Sequence, residues 1–348
     1  GAEPGAAGAL LGPALGADSA APAPGLHPGL PKQLCVVPDL DLDTNYAFMY
    51  LKPHANTQKA RDFVLEHLSQ VGVHVRKEGE ISGEKIGDLG LIDTHYGSLA
   101  TKALHQSPLE LIVQPKAKEA FNAAFGLHWH DALARGLVCN ANGAMQRLKC
   151  TAEELEARWA PLQLGEGKVK FGGGCYCGKI GDLYVINGFY MVMRAMYTQP
   201  QSSIRWFLLD WPSGGLSWRN FRSRVLGGTD PARAERGSLR ASFHRHWRRL
   251  GLPGEPHVGE NAVHASASPM EALFERLNWL QIPTAKDPFG KILLKHRVPP
   301  ACLQHWASDP AVEHEGGLVS LFDLFEDRDT RECLDLAQLL QLQRGPER

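Results

Sequence analysis

The chain has 348 residues, of which 43% are hydrophobic and 22% charged, and its formal net charge is −1. A chain this long can bury a sizeable core without disulfide bonds, so its seven scattered cysteines are interpreted as reduced thiols of an intracellular protein. The near-zero charge predicts no global attraction to nucleic acid, and no apolar run reaches the roughly 18 residues of a membrane span.

The first third of the chain begins with a segment of low complexity. Residues 1–34 are almost entirely Gly, Ala, Pro and Leu, a composition typical of a disordered tail. A buried strand is then predicted at 46–52, a helix at 56–72 and an alternating strand at 73–82. Residues 91–104 are predicted to be helical or irregular.

The middle of the chain is predicted to be mostly helical over residues 108–165. Asn187-Gly188 then lies between two β-rich runs in "LYVINGFYMVM", and Asn-Gly in that position is a strong hairpin signal. The sequence therefore predicts a β-hairpin over 182–197.

The last third combines strands and helices. Strands are predicted at 203–211 and 261–265, and helices at 217–228 and 269–280, while residues 286–348 are expected to be helical. Because several links are too short for parallel crossovers, the pattern favours an α+β fold with a small open sheet and helices on one face.

Three motifs have better structural than functional interpretations. "GGCYCGKI" at 173–180 is close to a phosphate-binding loop, but it has Ile where the magnesium-binding hydroxyl is needed and leads into a predicted strand. Cys175-x-Cys177 lacks a second pair at metal-site spacing. The histidine pairs His128-x-His130 and His244-x-His246 also lack companions, so no metal site is predicted.

A basic segment, "RAERGSLRASFHRHWRRLG" at 233–251, permits three interpretations. It can be a solvated face, or it can bind polyphosphate, because arginine offers a planar fork to phosphate oxygens. Its position shortly before His264 favours phosphate binding, and contact with nucleic acid is the weaker third interpretation.

His264 ends a strand-like segment in "ENAVHASASPME". The small residues at 265–268 leave room for a substrate beside the ring, and Ser266 or Ser268 can cap the helix that follows. Glu275 lies one and a half turns into that helix, from where it could reach back and orient the imidazole. A lone histidine is more often structural, but these features favour a nucleophile.

These residues resemble those of the nucleoside diphosphate kinase family. "VGENAVHASAS" at 258–268 resembles its active-site signature, and "LGGTDPARAERGSLRASF" at 226–243 resembles its nucleotide loop. "FMYLKP" and "DTHYGSL" resemble two shorter family elements, and all four occur in the family's order. The resemblance implies a ferredoxin-like antiparallel sheet and a phosphoryl-carrying His264.

The resemblance also implies the other site residues. Glu275 would support the imidazole, and Val258 would form one side of a clamp on the base. The aromatic residue that forms the other side in the family falls near Leu104, so the chain departs from the family pattern there. Pro231 would shape the nucleotide loop. The residues that would hold the phosphates and the sugar are Lys52, Tyr96, Thr229, Arg240 and Asn261, of which Lys52 also counts as catalytic.

The chain departs from the family pattern in several further places, one of which is a longer segment between Arg240 and Asn261. The arginine expected before the Thr-Asp-Pro loop falls at Ser223, so Arg222 or Arg224 would replace it. Residues about 105–200 form an insertion within a kinase-like domain at 35–285. Residues 286–348 form an added helical extension.

The function implied is ping-pong transfer of a γ-phosphoryl group from a nucleoside triphosphate to a nucleoside diphosphate through His264. Mg²⁺ would arrive with the nucleotide, since the sequence has no carboxylate cage for it. The resemblance also implies assembly of several copies, which the insertion could alter. The alternative is an inactive member that keeps the fold as a nucleotide-binding or scaffold module.

Overall fold

The computed structural model describes residues 42–172, 174–314 and 316–343. The tail predicted at 1–34 lies outside these ranges. The described residues form two compact units, one from 42–91 with 200–343 and the other from 92–199. Antiparallel strand pairs and many helices occur together, as expected for a mixed α and β protein.

The strands of the described residues are numbered in chain order. They are β1 (Thr44–Leu51), β2 (His74–Ser82), β3 (Val138–Asn140), β4 (Lys168–Gly172), β5 (Cys175–Ile180), β6 (Leu183–Ile186), β7 (Ser203–Pro212), β8 (Val263–Ala265), β9 (Ala311–His314) and β10 (Gly317–Ser320).

The helices of the first unit surround its sheet. They are Gln58–Gln70, Gly83–Asp88, Trp218–Asn220, Leu239–Leu250, Pro269–Leu280, Pro288–Lys295, Pro300–Trp306, Leu321–Phe325 and Thr330–Gln343, with a 3₁₀ turn at Pro53–Ala55 and a π-helical turn at Phe221–Leu226. The strands predicted in this unit and the helices predicted at 56–72 and 269–280 are present, with small shifts at their ends. The helix predicted at 217–228 is instead a short helix followed by the π-helical turn.

The sheet of the first unit has the order β2–β7–β1–β8, and all neighbouring strands are antiparallel. β1 is apolar on both faces, so both faces need cover. Its Met49 lies in a core with Val64 and Phe243 from helices Gln58–Gln70 and Leu239–Leu250. On the other face, Tyr50 contacts Trp279 of helix Pro269–Leu280, with ring centroids 5.3 Å apart. The prediction of helices on one face only is therefore wrong at β1.

The C-terminal segment shares a core with helix Pro269–Leu280. Met270 and Leu273 of that helix pack in one cluster with Leu293, Phe325 and Ala337. Residues 286–343 also contain the β9–β10 hairpin, so the expectation of helix alone was wrong there. The sequence "AVEH…GLVS" is short and only partly apolar, which explains why its strand pattern was weak.

The second unit is built around a mixed sheet of order β3–β6–β5–β4, in which only the β3–β6 pair is parallel. Its helices are Leu91–His95, Gly97–Leu104, Pro115–Phe125, Trp129–Ala134, Ala141–Leu148, Ala152–Trp159 and Tyr190–Thr198, with a 3₁₀ turn at Pro108–Glu110. The largely helical prediction for 108–165 missed the short strand β3.

The hairpin predicted at Asn187-Gly188 is wrong. Asn187 does adopt the left-handed conformation, with φ of 51°, but its side-chain oxygen accepts from the Tyr176 N–H at 2.9 Å and ends β6. The segment that follows is a helix, with Tyr190 and Tyr197 buried two turns apart. The actual hairpin joins β5 to β6 through Gly181, whose φ is 60°.

The motifs with structural interpretations lie within this second unit. Gly178 and Lys179 belong to strand β5 and not to a helix N-terminus, while Gly173 lies outside the described residues. Cys175 and Cys177 are buried in the same strand, and burial raises the pKa of the Cys175 thiol to about 11. None of the described helices combines the length and apolarity that crossing a membrane requires.

Candidate active site

His264 lies in the middle of β8 in the first unit. It pairs with Tyr50 of β1, and the two rings stack with centroids 4.7 Å apart and planes 27° apart. β8 is only three residues long because the chain turns into helix Pro269–Leu280 immediately after it. The imidazole thus lies on a short edge strand, and about a fifth of its side-chain surface is exposed.

Glu275 holds the imidazole from that helix. Its Oε1 lies 2.5 Å from His264 Nε2, so the contact expected from the sequence is present. The Ser266 hydroxyl donates to Oε2 of Glu275 at 2.6 Å and accepts from the Phe48 N–H at 3.2 Å. Ser268, and not Ser266, is the helix N-cap, accepting from the Glu271 N–H at 3.1 Å. A carboxylate can only accept, so the proton of a neutral ring is fixed on Nε2.

Three cations act on His264. Burial lowers the pKa of the ring well below its ordinary value, and the positive charges of Lys52, Arg240 and Arg222 lower it further. The imidazole is therefore neutral near pH 7, which is the nucleophilic form.

Arg240 joins two loops of the site. The buried guanidinium donates from Nη1 to the Gly227 carbonyl at 2.8 Å and from Nη2 to the Val263 carbonyl at 3.0 Å. Its buried Nε has no hydrogen-bond partner among the described residues. Burial, and then the charge of Arg222, lowers its pKa to about 10, so it remains a cation at neutral pH.

Asn261 and Thr229 form a second link between the same loops. The Asn261 side-chain amide donates to the Thr229 carbonyl at 3.1 Å. Asn261 Oδ1 and Thr229 Oγ1 are buried, and neither has a hydrogen-bond partner within the described ranges. Unpaired buried polar atoms cost free energy, so this arrangement is typical of a site completed by a polar ligand.

His54 is a site residue that the sequence analysis missed. Its Nε2 accepts from the Ala262 N–H at 3.2 Å, and Ala262 has a strained φ of 67°. Burial and the nearby charge of Lys52 lower the pKa of His54 to about 4, which keeps the ring able to accept. The sequence signal was its position two residues after Lys52, and only the backbone contact gives that position meaning.

Lys52 directly follows β1, and its backbone N–H donates to the Ala262 carbonyl at 2.9 Å. Burial, and then repulsion by Arg240, lowers the pKa of its ammonium group to about 7, while Glu260 acts in the opposite direction. A buried ammonium group with a lowered pKa is suited to meet an anionic ligand, since the ligand would restore the favourable charge balance.

The lowered pKa of Lys52 predicts how stability depends on pH. Between about pH 7 and 10.5 the unfolded chain binds a proton on Lys52 that the folded chain does not, so this residue's contribution to stability rises with pH. Below pH 7 the folded chain bears the full free-energy cost of burying the charged Lys52 ammonium group. We expect Lys52→Met to raise the melting temperature at pH 6 and to bring a smaller gain at pH 10.

The matched control is Lys59→Met, on the exposed face of helix Gln58–Gln70. Calorimetric melting at both pH values measures both variants. An equal gain for Lys52→Met at pH 6 and pH 10 would contradict a buried, destabilised ammonium group.

Gly227 shapes the loop that receives Arg240. Its φ is 92°, and an added Cβ would lie 2.3 Å from Ser238 Oγ, the N-cap of the Arg240 helix. We expect Gly227→Ala to destabilise the fold by roughly 2–4 kcal/mol, from left-handed strain together with overlap. Gly228→Ala is the control, since its Cβ would meet nothing within 4 Å. Urea denaturation measures both, and equal midpoints would refute the tight packing.

The two arginines predicted to replace the missing one differ in exposure. The helix predicted over 217–228 becomes a π-helical turn from Phe221 to Leu226, and such turns are frequent at functional sites. Arg222 is half-buried and acts electrostatically on His264, whereas Arg224 and Ser223 are exposed. Arg222 is therefore the arginine of this turn that belongs to the site.

The remaining predicted residues lie elsewhere. Tyr96 is in the second unit, at the start of helix Gly97–Leu104, where its ring meets that of Tyr190 edge to face. Leu104 packs in the core of the same unit. In the first unit, Val258 is 55% exposed and Pro231 is buried.

The basic segment divides into one inward and several outward arginines. Arg240 is buried, and Arg248 lies over the Trp247 ring at 4.3 Å. The outward arginines are exposed: Arg233, Arg236, Arg245, Arg248 and Arg249. The solvated-face interpretation thus applies to most of the segment, whereas the Arg240 guanidinium is buried.

Comparison with solved structures gives weak likenesses to two nucleoside diphosphate kinases, among other matches. The nucleoside diphosphate kinase of Aquifex aeolicus has a TM-score of 0.30 and 14% identity, over 68% of this chain and 94% of its own. An NDP kinase from Pyrobaculum aerophilum has a TM-score of 0.29 and 14% identity, over 68% of this chain and 95% of its own. No family model and no curated protein matches the sequence. Likenesses of this size assign the chain to no family.

Proposed function

We propose that this protein is a phosphotransferase of the nucleoside diphosphate kinase type, which carries the phosphoryl group on His264. The observation that supports this most strongly is the contact of His264 Nε2 with Glu275 at 2.5 Å, beside three cations that keep the ring neutral. A neutral imidazole oriented by a carboxylate and surrounded by positive charge fits nucleophilic attack on a phosphoryl group.

In the first half-reaction, the lone pair of His264 Nδ1 attacks the γ-phosphorus of a nucleoside triphosphate. The new N–P bond forms as the bond from that phosphorus to the β,γ-bridging oxygen breaks, and the nucleoside diphosphate leaves with the bonding electrons. Glu275 accepts the hydrogen bond of Nε2–H and stabilises the positive charge that develops on the ring. The second half-reaction reverses these steps with another nucleoside diphosphate.

The unpaired donors of the site suit the phosphate chain of the nucleotide. Arg240 Nε, the Lys52 ammonium and the Thr229 hydroxyl can each donate to phosphate oxygens. Asn261 Oδ1 accepts, and so suits a sugar hydroxyl. Mg²⁺ would enter as part of the nucleotide substrate.

The remaining parts of the proposal concern fold and assembly. We infer a ferredoxin-like fold for the first unit, because strands β1, β2, β7 and β8 alternate with two helices and their order is β2–β7–β1–β8. Tyr96 and Val258 are proposed to contact the sugar and the base, and assembly of several copies is part of the same proposal.

The decisive experiment uses a γ-³²P-labelled nucleoside triphosphate with the purified chain. We expect label on the protein that is lost in acid, as a phosphoramidate is, and that a nucleoside diphosphate removes as labelled triphosphate. Absence of label, or an acid-stable label, would overturn the proposal.

The second candidate is a nucleotide-binding module without turnover. The observation that favours it is that Arg222 is paired with two carboxylates, Glu326 and Asp327, so that part of its charge is already neutralised. Calorimetric binding of a nucleoside diphosphate in the absence of any protein labelling would select this candidate.

A further inference from the structure

The chain after the last short helix returns to the candidate site. Helix Leu321–Phe325 ends, and Asp327 takes a left-handed conformation with φ of 62°. The Asp327 N–H donates to the carbonyl of Ala267 at 3.0 Å, and Ala267 lies three residues past His264. We call residues 326–330 the C-terminal clip.

Two carboxylates of the clip hold Arg222. Its Nη1 lies 2.6 Å from Asp327 Oδ1 and 2.6 Å from Glu326 Oε1. The Arg222 side chain is 16% exposed, compared with 77% for Arg219, which reaches Asp327 only at 4.0 Å. The Arg222 contacts are therefore short and partly shielded from solvent, the conditions in which an ion pair fixes geometry.

The clip is anchored independently of these two carboxylates. Asp329 Oδ1 accepts from the Trp218 N–H at 2.6 Å and from the Asn45 amide at 2.6 Å. Asn45 Oδ1 in turn accepts from the Thr330 N–H at 2.9 Å. Neutralising Glu326 or Asp327 would thus leave the backbone of the clip in place.

We propose that Glu326 and Asp327 are positioning residues, which hold Arg222 with its remaining donors available for a phosphoryl group on His264. This inference rests on the proposed function. Both carboxylates contact Nη1, and no described residue accepts from Nε or Nη2 of Arg222. That edge of the guanidinium is a pair of donors in the geometry that phosphate oxygens accept.

The physical gain is preorganisation. A free arginine side chain samples many rotamers, and ordering it during the reaction would raise the barrier. Since the position expected for the arginine is occupied by Ser223, the chain needs a second means to direct Arg222, and the clip provides it. Residues beyond 320 thereby become part of the transfer site.

The test is a double-mutant cycle on the full chain. One arm is Glu326→Gln with Asp327→Asn, which keeps side-chain shape and suits the left-handed backbone at 327. The other arm is Arg222→Gln, and the third variant combines all three changes. Glu313→Gln, an exposed carboxylate of β9, is the control. The readouts are single-turnover phosphorylation of His264 and calorimetric affinity for a nucleoside diphosphate.

We expect each arm to lower kcat/KM by roughly 10–100-fold, because a misplaced donor costs on the order of 10²-fold. The combined variant should be no slower than Arg222→Gln alone, since the carboxylates act through Arg222. If the two carboxylates had a purely structural role, their removal would change the melting temperature, and the rate losses of the two arms would add up in the combined variant.

Several results would overturn the inference. The inference fails if the rates of the carboxylate variant are unchanged, or if the rate losses add up in the combined variant. It also fails if phosphoryl transfer is faster once the carboxylates are neutral, because the carboxylates would then sequester Arg222. If the wild type is not phosphorylated, the proposed function fails separately. The same cycle read as nucleotide affinity then decides whether the carboxylates act through Arg222.

Discussion

We expect His264→Ala to lose protein phosphorylation and phosphoryl transfer by at least about 10³-fold, because removing a nucleophile removes the whole covalent route. The His264 ring has a carboxylate oxygen at 2.5 Å and three cations acting on it. The measurement is acid-labile ³²P on the protein, followed by transfer to a second nucleoside diphosphate.

The control for this variant is His244→Ala. His244 also faces a carboxylate, with Nε2 3.1 Å from Glu255, but it lies on the basic helix Leu239–Leu250. We expect it to label like the wild type. Circular dichroism should show that both variants are folded, since His264→Ala also loses the stacking on Tyr50. Equal labelling of wild type and His264→Ala would exclude His264 as the carrier.

The second large effect is expected for Glu275→Gln. The carboxylate fixes the ring proton on Nε2 and leaves the lone pair of a neutral imidazole on Nδ1. A carboxamide can instead donate to Nε2, which would move the proton to Nδ1, and it carries no charge to balance the developing imidazolium. We expect kcat to fall about 10²–10⁴-fold, with a smaller change in KM.

Glu271→Gln is the matched control on the same helix. Burial, and then repulsion by Glu275, raises the pKa of Glu271 above its ordinary value, which favours the protonated form of this residue. Glutamine resembles that neutral form, and we expect little change in rate there. Pre-steady-state kinetics would compare the two, and losses of equal size would contradict a specific role for Glu275.

The local part of the site could be predicted from the sequence. Strand, small residues, cap and helix follow one another within 261–280, so helical geometry alone brings Glu275 back toward His264. The β1 strand and its terminal Lys52 were likewise predicted from local apolar pattern. The roles of these residues stay predictions until the kinetic tests are made.

The structure of the Asn187-Gly188 segment depends on contacts with residues distant in the chain, which local sequence patterns do not predict. Asn187-Gly188 has the local preference of a hairpin, and Asn187 does adopt a left-handed φ. Its side chain, however, bonds to Tyr176 and ends β6, and the apolar residues that follow pack as a helix. Tertiary packing thereby outweighed a turn preference that is worth little by itself.

The sequence by itself determined the nucleophile candidate, the carboxylate behind it, and the mixed α and β class, because each follows from contacts over short chain separations. Only the tertiary structure decided that Arg222 and not Arg224 acts on His264, and that Glu326 and Asp327 hold it. Those choices depend on the register of a π-helical turn and on contacts across more than a hundred residues. Local propensity and the hydrophobic period of the sequence do not predict contacts between residues so far apart in the chain.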